Sequence, residues 1–108
     1  MSVQARATEA VTLCALTAIP ADQGRAFRVG NKEIAVFRTR AGGVHAVANR
    51  CPHRGAPLAD GIVAGGRVQC PYHGDDFDLA TGEPVGRAYR CAKVFAAEVD
   101  GDQVTVWI

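Results

Sequence analysis

Four side chains that can bind a metal lie in two short motifs. The first motif reads Cys51-Pro-His53, and the second, sixteen residues further on, reads Cys70-Pro-Tyr-His73. Thiolate and imidazole ligands together suit iron or zinc, whereas oxygen-rich loops would suit calcium or magnesium. The two motifs therefore predict one site with four protein ligands.

Each motif mixes the two ligand types, and this mixture bears on the identity of the metal. A zinc finger usually pairs its cysteines in one motif and its histidines in the other. In a Rieske [2Fe–2S] centre, one iron is held by two cysteines and the other by two histidines, which matches the mixed motifs here. A structural zinc site remains the alternative.

On these motifs the chain resembles the Rieske family, from about Leu13 to Ile108. The resemblance implies an all-β fold, a small antiparallel β-sandwich with an inserted cluster-binding subdomain. It also implies one [2Fe–2S] cluster per chain. Cys51 and Cys70 would ligate the buried iron, and His53 and His73 the outer iron.

Length and composition fit a single small domain. We expect the 108 residues to form one domain, with the cluster-binding subdomain at about 49–79. A net charge of +1 and the lack of a basic run argue against nucleic acid as a partner. Residues 1–10 contain no apolar segment of the kind that a signal or a membrane span requires, so we expect a cytoplasmic protein without a membrane partner.

The remainder of the chain is predicted to form short strands separated by turns. Ile34 and Val36 should share one face of a strand, with Ala35 and Phe37 on the other, so that both faces are apolar. The predicted strands are Val11–Leu16, Phe27–Val29, Glu33–Thr39, Val44–Ala48, Ile62–Val63, Arg67–Gln69, Lys93–Val99 and Val104–Ile108, with hairpin turns at Gly30-Asn31, Gly65-Gly66 and Asp100-Gly101. The two ligand loops are expected to hang from adjacent strands.

Several other reactive or bulky residues receive structural interpretations. Cys14 is predicted to be a small core residue, and Cys91 to be structural and without redox activity. His45 matches no position of the motif and is predicted to be structural or on the surface. Leu58 is predicted to be an apolar lid over the irons or an ordinary core residue, and Trp107 to contribute packing.

With these four protein ligands the irons of a cluster are coordinatively saturated and have no open position for a substrate, in contrast to a catalytic metal. The site is therefore predicted to transfer single electrons, as a component of a larger oxidoreductase with no substrate site of its own. High-potential family members have a disulfide between the loops, where this chain has Ala56 and Tyr72, and two hydroxyl donors, where it has Asp75 and Phe77. Fewer donors predict a low potential, about −150 mV.

The partner is predicted from two stretches, Cys51–Val63 and Phe77–Glu83. They look like the small subunit of NAD(P)H-dependent assimilatory nitrite reductase, which implies a large subunit with flavin and sirohaem as the partner. The alternative is a freestanding ferredoxin that carries electrons from a flavin reductase to a ring-hydroxylating dioxygenase. A third possibility is a non-redox structural or interaction domain, with zinc or nothing in the site.

Overall fold

The computed structural model describes residues 9–40, 43–52, 55–71, 76–85 and 91–108. Within these ranges the chain forms ten strands and two short 3₁₀ turns, Leu16–Ala18 and Leu58–Asp60. None of the helical segments in these ranges is long and apolar enough to cross a membrane. The strands are β1 Ala10–Ala15, β2 Gln23–Val29, β3 Lys32–Arg38, β4 Val44–Ala48, β5 Ile62–Ala64, β6 Arg67–Gln69, β7 Asp76–Asp78, β8 Pro84–Val85, β9 Val94–Asp100 and β10 Gln103–Trp107.

The strands form two antiparallel sheets, which confirms the predicted all-β fold. The large sheet has the order β1-β10-β9-β4-β3-β2, and the small sheet has the order β5-β6-β7-β8. Strands β4 and β9 are neighbours in the large sheet, with Val47 opposite Val94. The small sheet is thus an insertion between two paired strands of the large one.

The large sheet curls around a core of its own. Side chains from its two edge strands, Val11 on β1 and Phe27 on β2, pack against the same buried cluster. A flat sheet would hold these edges far apart, so their shared core requires strong curvature. The fully buried members of this cluster include Ile19, Val104 and Val106.

Strand β3 is buried on both of its faces, as its sequence predicts. Ile34 and Val36 point into the core of the large sheet. Ala35 and Phe37 point the other way, into a second core that the large sheet shares with the small one. A strand covered on both sides needs apolar residues at every position rather than at alternate ones, which explains the continuous apolar run.

All three predicted hairpins form, and one of them turns one residue later than predicted. Gly65-Gly66 connects β5 to β6, with positive φ at both glycines (60° and 77°), which is the two-residue turn that favours right-twisted hairpins. Gly30-Asn31 joins β2 to β3 as predicted. The last hairpin turns at Gly101-Asp102, one residue later than predicted, because Gly101, with φ 68°, takes the first turn position.

Candidate metal centre

The two cysteines of the motifs come from different sheets and meet in one core. Cys51 follows β4 of the large sheet, and Cys70 directly follows β6 of the small sheet. The prediction that adjacent strands carry the two loops is therefore wrong. Both cysteines are 1% exposed and belong to the same buried cluster, since packing of the small sheet against β3 and β4 brings them together.

The surroundings of the two cysteines are apolar. Leu58 is fully buried in the same cluster, as predicted for a core residue, and its role as a lid over the irons stays a prediction. Such a core excludes water and lowers the local dielectric constant, which tunes any metal that the thiolates bind. The other buried members of the cluster are Ala35, Phe37, Val47, Ala56, Val63, Val68, Phe77, Leu79 and Ala92.

Backbone hydrogen bonds fix the start of the first ligand loop. The N–H of Cys51 donates to the carbonyl of Ala56 (2.8 Å), and the N–H of Gly55 donates to the carbonyl of Cys51 (2.7 Å). These two bonds close the loop on itself. The backbone of Cys51 is therefore hydrogen-bonded through both its N–H and its carbonyl group within this loop.

Asn49 supports this loop, although the sequence analysis did not identify it. Its side chain is 7% exposed and bridges two elements. The Oδ1 atom of Asn49 accepts from the N–H of Ala59 (2.7 Å), and its Nδ2 atom donates to Oε2 of Glu33 (3.2 Å). Asn49 thereby ties β3 to the 3₁₀ turn that carries Leu58. A lone asparagine directly after a strand gives no periodic signal from which this role could be found.

Gly82 is a second supporting residue that the sequence analysis did not identify. Its N–H donates to the carbonyl of Asp78, and its carbonyl accepts from the N–H of Ala92, both at 2.7 Å. The residue is buried with φ 80°, and a Cβ at this position would overlap the carbonyl oxygen of Ala92. Gly82 thus joins the small sheet to the segment that returns to β9.

The two histidines of the motifs, His53 and His73, lie outside the described residues. The same holds for Tyr72 and Asp75. The described residues alone include no group of three metal-ligand side chains. The donor set nevertheless fits the cysteine half of an iron–sulfur site, since two buried thiols share one apolar core at the entrances of the loops that carry the histidines.

The remaining cysteines and histidine lie apart from the ligand pair or at its edge. Cys14 is half-buried against the core of the large sheet, and burial raises the pKa of its thiol. Cys91 is exposed and lines a cavity of about 540 Å³ together with Cys51. Its predicted structural role therefore does not come from packing in the core. None of the four cysteines forms a disulfide. Burial lowers the pKa of half-buried His45, while the charge of Asp78 acts in the opposite direction.

Comparison with known proteins gives a family match. The model of the Rieske [2Fe-2S] domain matches residues 9–96. A curated relative, the 4beta-methylsterol monooxygenase of Methylococcus capsulatus, is 50% identical over 56 residues, which are 52% of this chain. The match spans only 15% of that enzyme's length.

Two solved structures match over nearly their whole length. A protein described as the NADH-dependent nitrite reductase small subunit of Mycobacterium tuberculosis superposes with a TM-score of 0.86 at 29% identity, covering 94% of this chain and 96% of that one. The ferredoxin of carbazole 1,9a-dioxygenase from Nocardioides aromaticivorans superposes with a TM-score of 0.82 at 28% identity, covering 90% and 95%.

Proposed function

The chain belongs to the Rieske [2Fe–2S] domain family, and we propose that Cys51, His53, Cys70 and His73 are the ligands of its cluster. Rieske domains bind a [2Fe–2S] cluster and transfer electrons through it, one at a time. The observation that supports this ligand set is the burial of Cys51 and Cys70 in one apolar core. The burial of both thiols supports the expectation that the two cysteines hold the inner iron.

The chain's own residues hold and shield this site. Hydrogen bonds within the first loop fix Cys51, and Asn49 anchors the adjacent turn. Leu58 and Phe77 fill the core around the cysteines and keep water away from the thiolates. We propose that the whole chain acts as one domain, with the cluster-binding subdomain at about 49–79, and that it has no substrate site of its own.

For the physiological role, we propose the small subunit of an assimilatory NAD(P)H nitrite reductase. The similarity to the M. tuberculosis protein that is described as a nitrite reductase small subunit extends over nearly the whole of both chains and supports this assignment. The stretches Cys51–Val63 and Phe77–Glu83 also support it. The partner would then be a large subunit with flavin and sirohaem, in the cytoplasm.

The second candidate is a freestanding ferredoxin that serves a ring-hydroxylating dioxygenase. The comparable similarity to the ferredoxin of carbazole 1,9a-dioxygenase favours it. The partners would be a flavin reductase and an oxygenase. Both candidates share the fold, the ligands and the one-electron chemistry, and they differ in whether the chain is permanently bound to a large polypeptide.

Gel filtration of an extract of the host, with detection of this chain, separates the two candidates. Elution together with a polypeptide that contains flavin and sirohaem would support the nitrite reductase assignment. Elution as a free species near 11.4 kDa would contradict it and support the diffusing ferredoxin. A colourless, zinc-loaded protein from iron-replete cells would instead support a non-redox structural domain.

A further inference from the structure

A basic groove lies beside the first ligand loop, between the β2–β3 hairpin and the start of β9. Its volume is about 440 Å³. Four cationic side chains and one carboxylate line it, namely Arg28, Lys32, Arg50, Lys93 and Glu33. Since the whole chain has a net charge of only +1, positive charge is strongly concentrated in this groove.

The two lysines of the groove converge on one aromatic ring. The Nζ atom of Lys93 is 5.3 Å from the centroid of the Phe95 ring, and that of Lys32 is 6.0 Å away. They are also the only two lysines in the sequence. A cation over an aromatic face is attracted to the ring, which helps to hold both ammonium groups within the groove.

The groove has little negative charge of its own to balance these cations. The carboxylate of Glu33 accepts a hydrogen bond from the amide of Asn49. Within the described ranges, none of the four cations forms an ion pair. The salt bridge found there joins Arg40 to Asp22, outside the groove. Like charges held close together repel, and an incoming anion would relieve that repulsion.

The groove also continues to the metal-binding loop. Arg50, Gly55 and Lys93 line both the groove and the neighbouring cavity that Cys51 borders. A molecule bound along the groove would therefore rest against the loop that carries Cys51. This position suits a partner that exchanges electrons with the domain.

We propose that the basic groove binds a carboxylate-rich segment of the protein redox partner. This inference rests on the proposed electron-transfer function and adds the chemistry of the partner's docking surface. Small-molecule sites are mostly apolar pockets with few polar groups, whereas most residues that line this groove are charged or polar. Complementary charge at such a surface speeds encounter and fixes orientation.

A synthetic decaglutamate peptide serves as the probe of the groove, titrated into the cluster-loaded protein at low ionic strength. The test variant is Lys32→Gln/Lys93→Gln. The matched control is Arg25→Gln/Arg67→Gln, which removes two exposed cations outside the groove and changes the net charge equally. We expect the test variant to bind the peptide about ten-fold more weakly than the wild type, and the control to bind it nearly as well.

Carbodiimide cross-linking gives a second measurement, because it joins an amine to a carboxylate in direct contact. Mass spectrometry should locate the cross-links at Lys32 and Lys93 rather than at the N-terminal amine. Equal loss of affinity in both variants, no binding to the wild type, or cross-links at the N-terminus alone would overturn the proposal. Equally tight binding of inorganic phosphate or of a single-stranded oligonucleotide would also overturn it, in favour of a small-anion or nucleic-acid site.

The electron paramagnetic resonance spectrum of each sample separates this inference from the proposed function. A protein with a normal cluster signal that does not bind the peptide would contradict the docking surface alone. A protein that binds the peptide through its lysines but contains no cluster would contradict the proposed function and leave the groove as a binding surface.

Discussion

Replacing Asn49 with alanine should weaken the support of the first ligand loop. The variant removes the acceptor of the Ala59 N–H, a bond of 2.7 Å at a side chain that is 7% exposed. A donor left without an acceptor costs about 1–3 kcal/mol when it is buried, and the lower end applies to Ala59, which is partly buried. The second bond, to the carboxylate of exposed Glu33, is longer at 3.2 Å and should add less than about 1 kcal/mol.

We therefore expect Asn49→Ala to lower the free energy of unfolding by about 1–3 kcal/mol. This leaves a folded protein, since small domains are stable by about 5–15 kcal/mol. The urea midpoint of the cluster-loaded protein, followed by circular dichroism, measures the loss. The visible absorbance should also decay faster under a chelator, because the turn that holds Leu58 beside the cysteines is no longer anchored.

Glu33→Ala is the matched control, since it removes only the exposed end of the same bridge. We expect it to shift the midpoint much less than Asn49→Ala does. If the two variants are equally unstable, the bond to Ala59 is not the main contribution of Asn49. If Asn49→Ala unfolds at the wild-type midpoint, the assignment of Asn49 as a support of the loop is wrong.

Three further predictions concern other parts of the molecule. Gly82→Ala should lower the free energy of unfolding by about 1–3 kcal/mol, because its Cβ would overlap the carbonyl oxygen of Ala92. Gly101 has a similar positive φ but open space around it, so Gly101→Ala should lower the free energy of unfolding by only about 1 kcal/mol. Equal urea midpoints of the two variants would contradict this. Burial lowers the pKa of His45, so as pH falls through the ordinary value of about 6.5 the unfolded chain binds a proton before the folded one does. Stability should then drop below neutral pH in the wild type more than in His45→Gln, and parallel pH profiles of the urea midpoint would refute it. Phe77 is buried and provides no hydroxyl, so voltammetry should give a low potential, about −150 mV, and a value above zero would be contrary to expectation.

Local sequence patterns predicted much of the fold. Alternation in Ile34–Phe37 correctly assigned each side chain of β3 to its core, since the period of two in a strand is a local property. The glycine pair at Gly65-Gly66 likewise predicted its hairpin. Candidate ligands were identified because their residue types and spacing lie within two short motifs.

The features that the sequence did not reveal depend on long-range packing. Cys51 and Cys70 follow strands of different sheets because β4 pairs with β9, which is distant in sequence, and not with β6. The bridge through Asn49 and the close contact of Gly82 with Ala92 join segments ten or more residues apart without any repeating pattern. The cations of the basic groove come from four separate segments, so no local run of charged residues in the sequence predicts the groove.

The most direct test of the account is the electron paramagnetic resonance spectrum of the dithionite-reduced protein, together with its iron and sulfide content. We predict a red-brown protein with two irons and two sulfides per chain and a rhombic signal of a [2Fe–2S] centre with mixed cysteine and histidine ligands. Replacing Cys51 with serine should abolish or greatly reduce that signal. A colourless protein that contains zinc and gives no signal on reduction would contradict the assignment of Cys51, His53, Cys70 and His73 as the ligands of an electron-transfer cluster.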